Sequence, residues 1–291
     1  MNPIADNQWF TEVFDRHGSA FSLKVGEKLL DVHSLYQHLE VYATETFGNL
    51  MVLDGCVMLT DRDNFLYHEM ITHPALFTHQ QPERVVIIGG GDCGTLKEVL
   101  RHPGVRHVTQ IDIDEEVTKA AERFFPALVD ANDDPRAELL FADGVKWVDD
   151  AEDESIDVLI IDSTDPVGPA EGLFKTDFLT RCHRILKPGG VMVQQSESPL
   201  YHSGSIIREL RLDMRDAGFS SVATLPFPQP VYPSGWWSVT LAGKDCSVET
   251  FRETAAGEHA MPLQYYTVDA HRSALVLPPF MRQALGETPD G

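Results

Sequence analysis

The chain has 291 residues, 43% of them hydrophobic, enough for one large core or for a core plus a small extra domain. Asp and Glu outnumber Lys and Arg by 45 to 23, a formal net charge of −22, so a small cation is a more natural partner than nucleic acid or an anionic membrane surface. Cys56, Cys93, Cys182 and Cys246 lack metal-type spacing and are too sparse for a disulfide framework. With an N-terminus unlike a signal peptide and no apolar run of spanning length, a cytoplasmic protein with reduced thiols is expected.

Residues 1 to about 60 read as strands. FSLKV from Phe21 is one, and the stretch from His38 breaks at the turn-forming pairs Gly48-Asn49 and Asp54-Gly55. These strands predict a small antiparallel β domain, 1–63, ahead of a larger unit, 64–291. From Asn64 the pattern turns helical, with Leu66, Met70 and Ile71 on one face running toward Pro74. Val85 to Ile88 are four consecutive β-branched residues, as in a strand buried on both faces. Three glycines, Asp92, Cys93 and Gly94 follow, then a helix with Leu96, Val99 and Leu100 on one side. Further strands are expected at His107–Asp112, Glu138–Ala142, Ile156–Ile161 and from Val191. Helices start at Glu115 and Gly144, surround Phe178–Leu186 until Lys187-Pro188-Gly189-Gly190 stops them, and run from Ser205 to Ala217. Val222–Leu225 and Ser238–Leu241 close the series. This alternation predicts an α/β fold with a parallel sheet.

Strand, glycine turn and helix make a nucleotide cradle: glycines admit the ligand to the backbone, and the helix N-terminus faces it. Gly89, Gly91 and Gly94 satisfy G-x-G-x-x-G, a weak motif alone. Asp92 sits where a pyrophosphate would be repelled, which disfavours a dinucleotide. Acids recur at the ends of the next strands: Asp112, Asp143 before Gly144, then Asp162-Ser163-Thr164-Asp165-Pro166. In an open parallel sheet these ends line one crevice. Carboxylates gathered there repel one another unless a cation neutralises them. Asp112 lies 21 residues past Gly91, the spacing of a ribose acceptor, and Asp143 beside Gly144 suits an adenine amino group. Singly, each has a plain alternative as a cap or turn residue.

At this point the chain resembles the spermidine synthases, the polyamine aminopropyltransferase family. The resemblance spans nearly the whole length. It rests on LDGCVMLTDRDNFLYHEM from Leu53, IIGGGDCG from Ile87, QIDIDEE from Gln110, IIDSTDPVGPAEGLF from Ile160, VYPSG from Val231 and QYYTVDAHRSALVLP from Gln264. It implies a class I methyltransferase-like Rossmann domain preceded by a small antiparallel β domain, assembled as a homodimer or homotetramer. It also implies transfer of the aminopropyl group of decarboxylated S-adenosylmethionine to putrescine, with no metal and no cofactor beyond that co-substrate. Position by position, it makes Asp162 the proton acceptor. Tyr67, Ser163, Thr164, Asp165 and Tyr232 line the amine site with it. Gln37, His68, Asp92, Asp112, Asp143, Gly144 and Pro169 hold the donor, and Trp9 and Glu197 close the far end of the amine channel. The chain departs from the family at Cys93, commonly Gly, at Met58, commonly Gln, and at Asp61–Asn64, where Glu-Arg-Asp-Glu is common.

Three rivals remain. A methyltransferase shares the fold and the adenosine acids, but the acidic DSTDP segment would repel the carboxylate of a methionine donor. A dinucleotide dehydrogenase conflicts with Asp92. A non-catalytic polyamine binder would need the diamine acids without the nucleoside set.

Overall fold

The computed structural model describes residues 8–164 and 172–287. Five strands come first and pair antiparallel in chain order: β1 (Trp9–Phe14), β2 (Ser19–His33), β3 (His38–Thr44), β4 (Asn49–Leu53) and β5 (Cys56–Thr60). FSLKV is only part of β2, which runs for 15 residues. Its first half pairs with β1 and its second with β3, and register shifts between Val25 and Leu30 bend it between the two. Gly26, Glu27 and Lys28 fall at that bend, so no hydrophobic alternation advertises the continuation.

Next comes α1 (Asn64–Thr78), buried along nearly its whole length. It continues through Pro74 rather than ending there, because Ala75, Leu76 and Phe77 are buried beyond the ring and hold the last turn. The remaining elements are β6 (Arg84–Gly89), α2 (Gly94–Leu100), β7 (His107–Asp112), α3 (Glu115–Phe124), β8 (Ala137–Phe141), α4 (Gly144–Asp150) and β9 (Ile156–Asp162). They are followed by α5 (Thr176–Ile185), β10 (Leu186–Gln195), α6 (Pro199–His202), α7 (Ile206–Asp216), β11 (Ser221–Pro228) and β12 (Trp236–Gly243). Three short helices that the sequence pattern does not mark end the chain: α8 (Glu253–Glu258), α9 (Val268–Ala274) and α10 (Pro279–Leu285).

The second sheet has the order β11-β12-β10-β9-β6-β7-β8. It is parallel from β10 to β8, and β12 and β11 join antiparallel at one edge. This is a Rossmann-like sheet preceded by an antiparallel one, as the sequence predicts. One boundary differs. Lys187-Pro188-Gly189-Gly190 does not separate helix from strand, because β10 already begins at Leu186 and carries the four residues as an irregularity before Val191. Lys187 is held there by an ion pair to Asp157 at 2.8 Å.

Alternation in β6 explains its uninterrupted apolar run. Val85 and Ile87 enter the core under α1 and α2, and Val86 and Ile88 enter the core on the other face with α4 and α5. A third apolar cluster joins the sheets, with Val117, Ala120 and Ala121 of α3 against Leu39, Val41 and Met51. Among the described residues no helix is long and apolar enough to cross a membrane.

The C-terminal segment is tied to α1 by one buried carboxylate. Glu69, 2% exposed, accepts backbone N–H bonds from Gln264 and Tyr265 at 2.8 Å and from Tyr266 at 2.7 Å. Glu69→Ala strands three donors, and we expect it to cost about 3 kcal/mol or more. A urea midpoint for the variant within error of the wild type would contradict that role.

Candidate active site

The chain runs outward from β6 through β7 to β8 and then returns to β9 on the other side of β6. The crevice at such a reversal, at the carboxyl ends of the strands, is where open α/β sheets bind ligands. Here the register sets Gly89 opposite Asp162. The two backbones touch: Gly90 N–H donates to the Asp162 carbonyl at 2.8 Å. A Cβ on Gly89, whose φ is +85°, would lie 2.0 Å from that carbonyl oxygen. One on Gly90 would meet the Asp162 carboxylate at 2.9 Å, and one on Gly91 the Asp112 carboxylate at 2.8 Å. The glycine run is therefore a thin wall between two acids, and side chains there would fill the space both face.

Asp162 is 9% exposed. Its Oδ1 accepts from the Tyr67 hydroxyl and its Oδ2 from the Thr95 hydroxyl, both at 2.6 Å. Burial pushes the Asp162 carboxyl up, the charge of Asp92 pushes it further, and the two hydroxyls and His68 oppose the rise. Tyr67 is raised well above the ordinary phenol range by burial and by Asp162, so it stays a donor. Tyr67 also meets the Tyr232 ring at 5.9 Å, and the Tyr232 hydroxyl donates to the Met58 carbonyl.

His68 and Asp92 form a second pair, Nε2 to Oδ1, at 3.2 Å. Burial works against the imidazolium, but the charge and hydrogen bond of Asp92 outweigh it, and the net direction for His68 is upward. Gly94 abuts this ring so closely that a Cβ would come within 2.2 Å of it. Asp112 ends β7, accepts from the Asp114 N–H at 2.8 Å, and is pushed up to about 6 by burial. Gln37 reaches the same corner indirectly: its Nε2 and the Ser34 hydroxyl donate to Asp114 Oδ2 at 2.9 and 2.7 Å.

Asp143 is exposed and caps α4, with Oδ1 accepting from Val145 and Lys146 N–H. Gly144 packs on Ile88, where a Cβ would meet its side chain at 2.5 Å. Asp165 and Pro169 lie outside the described residues. Ser163 and Thr164 line a cavity beside Asp162, together with Met58, Tyr67 and Tyr232. Trp9 is not among its lining residues. From the same strand it is Glu12 that lines it, a carboxylate 8% exposed that accepts the Val57 N–H at 2.9 Å. Glu197 is buried with φ +73° and pairs with His202 at 3.3 Å.

Sequence reasoning missed Thr95, Glu12 and Gln195. Thr95 could have been found, as a hydroxyl in the first turn after the glycine run. Glu12 sits in an unremarkable strand with no motif around it. Gln195, another cavity residue, braces the segment after β9 by donating to the Thr164 carbonyl at 3.2 Å. The departures from the family pattern are absorbed locally. Cys93 takes a left-handed φ of +68°, and its thiol accepts from Gln110 and Asn132 amides at 3.5 and 3.4 Å. Asn64 donates to the Thr60 and Asp61 carbonyls at 2.7 and 3.1 Å, fastening the turn into α1. Met58 accepts the Tyr232 hydroxyl at its backbone carbonyl, a bond any residue could make.

A glycine-walled, acid-lined crevice at a strand-order reversal places the protein among open α/β enzymes that bind ligand at the carboxyl edge of the sheet. Comparison with known proteins narrows this. Residues 64–252 match the spermine/spermidine synthase domain and residues 8–61 the spermidine synthase tetramerisation domain. The polyamine aminopropyltransferase of Alkalilimnicola ehrlichii is 58% identical over 280 residues, covering 96% of this chain and 98% of the relative. That of Thioalkalivibrio sulfidiphilus is 56% identical over the same share of each. A solved spermidine synthase in complex with the transition-state analogue AdoDATO superposes with a TM-score of 0.93 at 32% identity, covering 97% of this chain and 96% of that one. The Thermotoga maritima spermidine synthase superposes at 0.90, also at 32% identity, covering 96% and 94%. The chain belongs to the spermine/spermidine synthase family.

Thr95 holds the Asp162 pKa down, so losing its hydroxyl should raise it. We expect the Asp162 carboxyl in Thr95→Val, followed by 13C NMR, to titrate at higher pH than in the wild type. An unchanged or lower midpoint would show that the Thr95 bond does not stabilise the carboxylate.

Proposed function

We propose that the protein transfers the aminopropyl group of decarboxylated S-adenosylmethionine to putrescine, yielding spermidine and methylthioadenosine. The observation that carries this reading is Asp162: a carboxylate buried at the strand-order reversal, gripped by two hydroxyls and raised by the charge of Asp92. Such a group is a stronger base than an exposed aspartate, and it lies between a nucleoside-type corner and an amine-sized cavity.

In the reaction the acceptor nitrogen's lone pair attacks the carbon next to the sulfonium. The C–S bond breaks with its electrons passing to sulfur, which becomes a neutral thioether. The leaving group is activated by its own charge, so the protein supplies position and a neutral nucleophile. At pH 7 a primary amine with pKa near 10.4 costs about 4–5 kcal/mol to present unprotonated. Carboxylates deepen that cost by favouring the ammonium. Asp162, beside the Tyr67 and Tyr232 rings, takes the proton from the attacking nitrogen, directly or through water. Glu12 supplies a carboxylate to the cavity beside Asp162, suited to the ammonium that does not react.

On the donor side, Asp112 accepts from ribose hydroxyls, with Gln37 setting the same corner through Asp114, and Asp143 with Gly144 borders the base. The Oδ1 atom of Asp143 is committed to the helix cap, which leaves Oδ2 for the adenine amino group. His68 positions Asp92 toward the donor's terminal ammonium. Asp165 and Pro169 belong to the same assignment through the family pattern. The protein works without a metal or further cofactor, in the cytoplasm, as a dimer or tetramer assembled through the N-terminal β domain that matches the tetramerisation domain over residues 8–61.

The direct test is incubation with decarboxylated S-adenosylmethionine and putrescine. Methylthioadenosine and spermidine should appear in equal amounts, and neither appearing would refute the assignment. Asp162→Asn should lower turnover by roughly two to four orders of magnitude, as for loss of a general base, with donor affinity far less affected. A variant within a few-fold of wild type would mean that another group takes the proton.

Donor choice follows from charge. Ordinary S-adenosylmethionine adds a carboxylate where Asp92 and Asp162 converge. At about 4 Å from one anion that costs about 4 kcal/mol at an effective dielectric near 20. We therefore expect strong preference for the decarboxylated donor, no methyl transfer, and a narrower preference in Asp92→Asn. Competition binding with both compounds checks this. Equal wild-type affinities would favour a methyltransferase instead.

A further inference from the structure

On the outer face of the N-terminal sheet, β2 and β3 pair so that His33 faces His38 and Asp31 faces Glu40. Strand alternation puts these four side chains on one face, while Leu39 turns into the core at 1% exposure. The two imidazoles stack with centroids 4.0 Å apart, and His38 Nε2 lies 2.8 Å from Asp31 Oδ1. Donor atoms of Asp31, His33 and His38 all lie within 4.8 Å of one another. We propose that Asp31, His33 and His38 form a binding site for one divalent transition-metal ion of the zinc type.

Two imidazoles and a carboxylate are a zinc donor set that leaves a fourth position open to water. Zinc donors lie about 2.0–2.2 Å from the ion, so adjacent donors end up roughly 3.4 Å apart for tetrahedral geometry, and small side-chain rotations bring these three there. The side chains stand on paired strands, Asp31 and His33 exposed and His38 half-buried. Nearby charges already prepare the carboxylate. Lys28 Nζ holds Asp31 Oδ2 at 2.7 Å and Glu40 Oε1 at 2.6 Å, which turns Asp31 Oδ1 toward His38. Glu40 Oε2 stands 3.8 Å from His38 Nδ1, in position to orient the ring once Nε2 ligates. An ion would take the place of the hydrogen bond between His38 and Asp31. Imidazoles select against Mg2+ and Ca2+, which prefer all-oxygen shells. The two histidines bracket the turn whose Ser34 and Gln37 hold Asp114, so the ion would sit beside a wall of the donor corner without touching it.

The test is calorimetric titration of tag-free protein with Zn2+, paralleled by Co2+ absorption spectra. One ion should bind per chain, and Co2+ should show the visible bands of a four-coordinate site. His33→Asn, at an exposed position, and His38→Asn, at a half-buried one, should melt near the wild-type temperature without metal and bind Zn2+ at least about tenfold more weakly, the scale seen even for lost outer partners. Wild-type protein that binds no Zn2+, or variants that bind as tightly as wild type, would overturn the proposal.

Discussion

The approach of one backbone to another at the strand-order reversal governs this molecule. Gly90 donates to the Asp162 carbonyl, and Gly89 lies against the same oxygen with no room for a Cβ. That contact fixes the end of β9 against the loop after β6, and with it the carboxylate that both sides of the crevice share. Thr95 reaches Asp162 because α2 starts where the loop ends, and Tyr67 reaches it because α1 packs under the sheet. The buried stripes of Val85, Ile87, Val158 and Ile160 keep those elements in place from beneath. Precision at the site is thus inherited from a rigid core rather than from the loops themselves.

How much of this was legible in the sequence depends on the kind of signal. The parallel sheet is legible because Val85–Ile88 and Val158–Ile161 are buried on both faces and carry no polar interruption. The acids at strand ends were legible for the same reason: once strands are placed, the next residue is placed. Asp162 and Asp92 stand where that logic puts them, and Asp112 is the last residue of β7. What stayed hidden depends on contacts between segments far apart in sequence. The length of β2, the path of α1 through Pro74 and the start of β10 at Leu186 are decided by neighbours, not by local pattern. Glu12 is the clearest case, since a glutamate in an exposed-looking strand gives no hint that β5 will bury it.

The Asp143 result shows a limit of single-residue reading. A helix cap and a ligand acceptor ask for the same side chain in the same place, because both present a carboxylate to free N–H groups near a helix start. The structure shows the cap. The second oxygen leaves room for the other role, and the two are compatible rather than alternative. Cys93 makes a similar point about glycine positions. Its left-handed backbone is costly for most side chains, roughly 1 kcal/mol or more. Here the thiol gains two amide donors beneath the loop, so a departure from the glycine pattern leaves the loop intact.

Charge supplies the last link between structure and chemistry. The acids around the crevice sense one another: Asp92 raises Asp162, and Asp162 adds to the rise at Asp112. Among the described residues, His68 is the ion-pair partner found for Asp92, and hydroxyls rather than Lys or Arg hold Asp162. A site arranged only for stability would place a guanidinium among them, as Arg136 sits on Asp134 and Arg184 on Asp153 elsewhere in the chain. Leaving the crevice without one keeps its carboxylates under mutual repulsion until a cationic ligand arrives. A sulfonium with a terminal ammonium relieves that repulsion where an anionic ligand would add to it. The same shortage of permanent cations leaves burial and Asp92 to push the Asp162 carboxyl up. The attraction of the crevice for a cation and the raised Asp162 carboxyl therefore have one electrostatic origin, and a lysine introduced beside Asp162 would weaken both together.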